Sequence, residues 1–208
     1  MILQTTVLIA FAYLLGSVPW GLVTTRCFSS VDILKQGSGN IGATNVRRLA
    51  GNHLGAITLA GDVFKGFIPV AIARIVFGSQ SHWVWFLVCT VALAAFLGHL
   101  YPVYLGFKKG GKGVATAFGC FLAISFPACV ASLLVFIVAV YLSDRVSAGS
   151  LAATAALPLA VWHLEASPVA TFAAAIFFAM IAFRHRENIE RLLRGTEPPL
   201  GKGKKSTP

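Results

Sequence analysis

Charge is what this chain has least of. Only 12% of its 208 residues are Asp, Glu, Lys or Arg, about half the share of an ordinary soluble domain. With 57% apolar residues and a mean hydropathy of +0.79, a water-soluble globule is excluded. An all-α, polytopic membrane helix bundle is expected instead. Cysteine is thin as well: Cys27, Cys89, Cys120 and Cys129 show no metal-ligand spacing and read as packing residues. There is no Gly-x-Ser-x-Gly elbow, no His-x4-Asp box and no cluster of metal-binding side chains. His185 is followed by Glu190 at a spacing that points to a different helix face, and no carboxylate–histidine pair is evident. No Pro- or Ser-rich linker and no repeat of roughly 20–50 residues divides the chain. Residues 1–208 therefore read as one membrane domain, with 198–208, which carries Lys202, Lys204 and Lys205, as a disordered basic tail. The first residues lack a basic n-region and Gly16-Ser17-Val18-Pro19 makes a poor cleavage site, so the first segment is expected to be a retained helix.

What charge there is carries one dominant sign. Seventeen Lys and Arg against seven Asp and Glu give a formal net charge of +10. Topogenic loops and attraction to anionic lipid headgroups account for this. Nucleic acid is not an expected partner, because the basic residues are divided among short loops without interleaved stacking aromatics. The apolar segments are 5–23, 54–77, 82–105, 114–142 and 150–183, with basic residues in 26–48, in 108–112 and after Arg184. The connection Gly78-Ser79-Gln80-Ser81 has no Lys or Arg. The segment 114–142 is long for one crossing and holds Pro127; 150–183 is longer and holds Glu165 and Pro168. Splitting both gives about seven helices and keeps every basic cluster on one side, with the N-terminus outside and the C-terminus cytoplasmic. Splitting neither gives about five and puts Arg145 outside.

Two polar, glycine-rich runs interrupt the apolar sequence. The first comprises Gly37, Ser38, Gly39, Asn40, Ile41, Gly42, Ala43, Thr44, Asn45, Val46, Arg47 and Arg48. A helix beginning near Ile41 would aim free N–H groups and the positive end of its dipole at a phosphate. Ser38, Asn40, Thr44 and Asn45 would add donors, and Arg48 a bidentate fork. The second comprises Phe107, Lys108, Lys109, Gly110, Gly111, Lys112 and Gly113. It departs from a nucleotide-binding P-loop in spacing and in its last residue. Lys112 is a candidate phosphate ligand at a helix start, and Lys108 and Lys109 read as topogenic. His99, just upstream, is either a packing residue or a substrate contact. Asp62 and Lys65, three apart inside an apolar segment, read as a mutual ion pair. In the last run His185 and Asn188 share a helix face, and the neighbouring arginines suit a membrane surface.

These residues resemble the three signatures of the bacterial acyl-phosphate:glycerol-3-phosphate acyltransferases, the PlsY family. The first signature resembles 37–48, the second 99–116 and the third 183–197, which ends Arg194-Gly195-Thr196-Glu197. The resemblance implies transfer of a fatty acyl group from acyl phosphate to the 1-hydroxyl of glycerol 3-phosphate, giving lysophosphatidate and inorganic phosphate. It also implies seven spans with the N-terminus outside, and a bacterial inner-membrane enzyme with its active site facing the cytoplasm. No metal or cofactor is expected. The expected partners are the two substrates, the lipid bilayer and the enzyme that makes acyl phosphate. By resemblance Ser38, Arg48, Lys112 and His185 are candidate catalytic residues. Gly37, Gly39, Asn40, Gly42, Thr44, Asn45, His99, Gly110, Gly111, Gly113, Ser150 and Asn188 are candidate substrate contacts. Ser150 matches a serine in the loop before the sixth span, and His185 and Asn188 match a pair that holds glycerol 3-phosphate. Gly106 and the doubled Lys108-Lys109 stand where the family more often has Lys-Phe-Lys. The rival reading is a transporter or channel for an organophosphate or anion, which predicts ionisable groups near the bilayer midplane.

Overall fold

A computed structural model describes residues 2–78 and 81–200. Ser79, Gln80 and the basic tail from 201 onward, with Lys202, Lys204 and Lys205, lie outside the described residues. Ten α-helices and no strand occur among the described residues. They are α1 (Ile2–Gly16), α2 (Trp20–Phe28), α3 (Ala43–Ala50), α4 (Asn52–Phe77), α5 (His82–Leu100), α6 (Val114–Ile124), α7 (Phe126–Ser143), α8 (Val146–Glu165), α9 (Pro168–Arg184) and α10 (Arg186–Leu193). Four helices are long and apolar enough to cross a bilayer: α4, α5, α7 and α8. Two bent pairs, α1/α2 at 44° and α9/α10 at 65°, raise that number to at most six.

The expected breaks at Pro127 and Pro168 are both present, and each is built the same way. Ser125 accepts the Ala128 N–H at 3.3 Å, and Ser167 accepts the Ala170 N–H at 3.3 Å. Each helix therefore begins with a serine cap and a proline in its first turn, where the missing N–H costs nothing. Two details differ from the sequence reading. Segment 5–23 is bent, because Pro19 disfavours helical geometry at Val18 and cannot donate to the preceding turn. α6 has 11 residues, a rise of about 16 Å against roughly 30 Å of hydrocarbon.

The helices group into two compact units, Met1–Ile124 and Ser125–Pro208. One residue, Ser125, separates α6 from α7, so composition carries no mark of the boundary. In the first unit, α4 and α6 approach at glycines. A Cβ on Gly66 would strike the Thr116 carbonyl, and one on Gly119 the Val63 carbonyl. Small residues at a crossing let two backbones meet where apolar side chains have lipid as an equal alternative. Arg74 donates to the Ala123 carbonyl at 2.9 Å and to the Ile124 carbonyl, and lies over the Trp85 ring. It thereby satisfies carbonyls left open at the end of α6.

In the second unit, the Leu200 N–H donates to the Asp144 carbonyl at 2.8 Å, and Ser147 bonds Glu197 at 2.6 Å. The connection after α7 and the C-terminal segment therefore lie together. That proximity fits a topology with Arg145 and the C-terminal segment on one face better than the five-span alternative, which puts them on opposite faces.

Candidate active site

The first glycine-rich run forms a loop closed by Asn45 from within. The Asn45 amide donates to the carbonyls of Asn40 at 2.9 Å and Ile33 at 3.2 Å, and its oxygen accepts the Ser38 N–H at 3.1 Å. Asn45 is buried, and these bonds make it a brace of the loop. Gly37 and Gly39 take left-handed backbone angles, φ +61° and +65°, which glycine adopts without steric cost. Gly39 N–H donates to the Gln36 carbonyl, and Gly42 N–H to Asn40 Oδ1 at 2.8 Å. The amides of Ser38, Gly39 and Gly42 thus close the turn itself. Helix α3 starts at Ala43 with Gly42 as its cap, two residues later than expected. Ser38 and Arg48 are exposed, and Asn40 and Thr44 partly so. They remain the ligand-facing candidates of this loop.

An apolar knot beneath the loop also takes in a residue just ahead of the second run. Leu22, Ile33, Ile41 and Val46 are buried together, and Leu105 packs against them with Leu34, Leu49 and Leu54. Leu105 ends the short 3-10 turn Val103–Leu105 that leads into the second run. The first run and the turn just ahead of the second thus share one hydrophobic cluster. The Gly111 N–H donates to the His99 carbonyl at 3.1 Å. Gly110 lies so close to Leu100 that a Cβ would strike its carbonyl. Gly113, at φ +90°, turns the chain into α6. Lys112, partly buried between Gly111 and Gly113, sits just before that helix, while Lys108 and Lys109 are exposed. An open cleft of about 300 Å³ lined by Arg26, Ser29 and Asp32 also borders this unit, but none of the candidate residues lines it.

His99 does not face outward. It is 3% exposed, and its Nδ1 lies 3.5 Å from Asp62 Oδ1. Asp62 also pairs with Lys65 at 2.8 Å, as expected, and Lys65 donates to the Val18 carbonyl at 2.8 Å. A carboxylate–histidine contact therefore exists, contrary to the sequence reading; it joins α4 to α5, and local spacing carries no trace of it.

In the second unit the third run folds around a carboxylate that sequence reasoning noted only as the end of a signature. Glu197 accepts from Ser147 at 2.6 Å, from the Asn188 amide at 2.6 Å and from Arg191 Nε at 2.7 Å. Burial pushes the Glu197 carboxyl up, but the hydrogen bonds from Ser147, Arg191 and Asn188 outweigh it and hold the group below its usual range. An amide whose nitrogen is committed to a carboxylate is oriented, with its oxygen turned away from that carboxylate. His185 stands at the α9/α10 bend, buried, with Nδ1 2.8 Å from the Ile181 carbonyl. A carbonyl only accepts, so Nδ1 carries the proton, and Nε2 is the acceptor of the neutral ring. Ser150 lies in α8 rather than in a loop, and its hydroxyl donates to the Val146 carbonyl at 2.9 Å.

Residues 6–195 match the model of a family described as glycerol-3-phosphate acyltransferase. This chain belongs to that family. The glycerol-3-phosphate acyltransferase of Geobacter sulfurreducens is 47% identical over 94% of this chain and 97% of the relative. That of Syntrophotalea carbinolica is 47% identical over 92% and 95%. Among solved structures, the glycerol 3-phosphate form of PlsY (YgiH), an integral membrane glycerol 3-phosphate acyltransferase, superposes with a TM-score of 0.89 at 41% identity. It covers 95% of this chain and 96% of its own. The lysophosphatidic acid form of the same enzyme superposes at 0.86. The helical architecture of this family member is thus that of an integral membrane acyltransferase.

Proposed function

We propose that this protein transfers a fatty acyl group from acyl phosphate to the 1-hydroxyl of glycerol 3-phosphate. The observation that carries the reading is the match of residues 6–195 to the glycerol-3-phosphate acyltransferase family, together with a Ser38 loop braced by Asn45 and a Lys112 just ahead of α6. The PlsY structures with glycerol 3-phosphate and with lysophosphatidic acid, at 41% identity, support it. Acyl phosphate is a mixed anhydride, so its leaving group departs readily. The main task is to hold two mutually repelling phosphates and aim a hydroxyl at a carbonyl. Arg48 and Lys112 neutralise the phosphates, and Ser38 donates to one of them. Asn188, oriented by Glu197, and His185 hold glycerol 3-phosphate. The hydroxyl oxygen bonds to the acyl carbon, the bond from that carbon to the phosphate oxygen breaks, and the hydroxyl proton passes to a phosphate oxygen. Lysophosphatidate and inorganic phosphate leave.

By the charge rule the polar loops face the cytoplasm, with the enzyme in the bacterial inner membrane and acyl phosphate supplied there by the enzyme that makes it. The test is purified protein in detergent, given palmitoyl phosphate and glycerol 3-phosphate. Phosphate release that requires both substrates, together with formation of lysophosphatidate, is expected. Release without glycerol 3-phosphate, or no release at all, overturns the reading.

A further inference from the structure

The costliest feature of the first unit is the line of polar groups sealed between its helices. Lys65, Asp62 and His99 are 1%, 2% and 3% exposed. Ionisable groups at such depth are expensive, and a well-packed apolar set would hold helices together at least as well. One end of the line is anchored on backbone, where Lys65 donates to the Val18 carbonyl. At the other end is His99, which meets the second glycine-rich run twice. Its carbonyl accepts the Gly111 N–H at 3.1 Å, and its ring lies so close that a Cβ on Gly111 would strike Nε2. Asp62 Oδ1 lies 3.5 Å from Nδ1, an electrostatic contact on the ring nitrogen opposite the one beside Gly111. The height of the ring sets the height of Gly111, and Lys112 is the next residue.

We propose that Asp62 and His99 are positioning residues for Lys112: the buried carboxylate holds the imidazole as the seat on which the phosphate-binding loop rests. Neither side chain touches substrate. The inference rests on the acyl-transfer reading above and adds to it how the lysine is aimed. It also assigns the seat a kinetic signature. Misplacing a phosphate ligand weakens substrate binding, whereas general loosening of the fold lowers the fraction of active enzyme and so the apparent kcat.

The experiment uses the full chain in detergent, with palmitoyl phosphate and glycerol 3-phosphate. His99→Gln and Asp62→Asn are each expected to raise the KM of at least one substrate on the order of tenfold, with kcat within about threefold of wild type. In a Lys112→Arg background, where the cationic head is already displaced, His99→Gln is expected to add less than about twofold, because both changes act on one contact. Unchanged KM values, a fall confined to kcat, or full multiplication of the two effects overturns the inference. If Asp62→Asn leaves Lys65 unpaired and the protein does not fold, the His99/Lys112 cycle decides alone. A wild-type enzyme without activity refutes the acyl-transfer reading and this inference with it. An active wild type with indifferent variants refutes this inference only.

Discussion

Asn45 and Glu197 each tie candidate substrate contacts to residues of the surrounding fold. Asn45 ties Ser38, Asn40 and Ile33 into one loop; Glu197 ties Ser147, Asn188 and Arg191. The second case predicts a pH dependence. The carboxyl of Glu197 is held below its ordinary value near 4.5. Its contribution to stability is therefore fully present above that value and is lost as the pH falls through the lower, folded-state value. Glu197→Gln is expected to cost about 1–3 kcal/mol at pH 7. Thermal unfolding in detergent should show the difference from wild type shrinking as the pH falls below 4.5; a difference independent of pH would refute the assignment. For Arg48, the relevant property is the planar fork rather than the charge alone. Arg48→Lys should lower kcat/KM by about tenfold or more. A variant as active as wild type would remove Arg48 from the site.

The helix breaks follow from residue chemistry that any reader of the chain can see. Ser125 before Pro127, and Ser167 before Pro168, offer an acceptor for an open N–H and a ring already set to helical geometry. Ser167→Ala should cost about 1 kcal/mol, readable as a lower unfolding temperature, while Phe172, exposed on the same helix, should tolerate Leu with a change under about 0.5 kcal/mol. The α4/α6 crossing is less forgiving. Gly119→Val places branched carbons against the Val63 carbonyl and should cost about 1–3 kcal/mol, more than Phe172→Leu at its exposed position on α9. Equal losses at the two positions would contradict the close crossing.

For the molecule as a whole, the charge rule predicts which face each loop occupies. In a variant lacking Cys27, Cys89, Cys120 and Cys129, single cysteines at Ser38 and Thr196 should react with an impermeant reagent from the cytoplasmic side, and one at His82 from the opposite side. Labelling of either Ser38 or Thr196 from the side that labels His82 would contradict the charge-rule assignment.

Fold class and the main apolar segments could be read along the chain because they depend on hydropathy and on Pro and Ser at particular places, properties each residue carries wherever it sits. Ser38, Arg48 and Lys112 stand out as candidates for a similar reason: donors packed among glycines are unusual in an oily sequence. The Asp62–His99 contact, the Glu197 hub and the Leu105 cluster were not legible. Each joins residues that are distant in sequence and neighbours only after helices cross. Pairing of that kind depends on the angle and depth at which α4, α5 and the loops meet, quantities set by packing and absent from any local pattern. Composition and punctuation decided that this chain is a membrane helix bundle interrupted by polar, glycine-rich loops. Which of the loop donors are taken up within the fold and which stay open was decided by tertiary structure, because a donor's availability depends on what has already taken its hydrogen bonds.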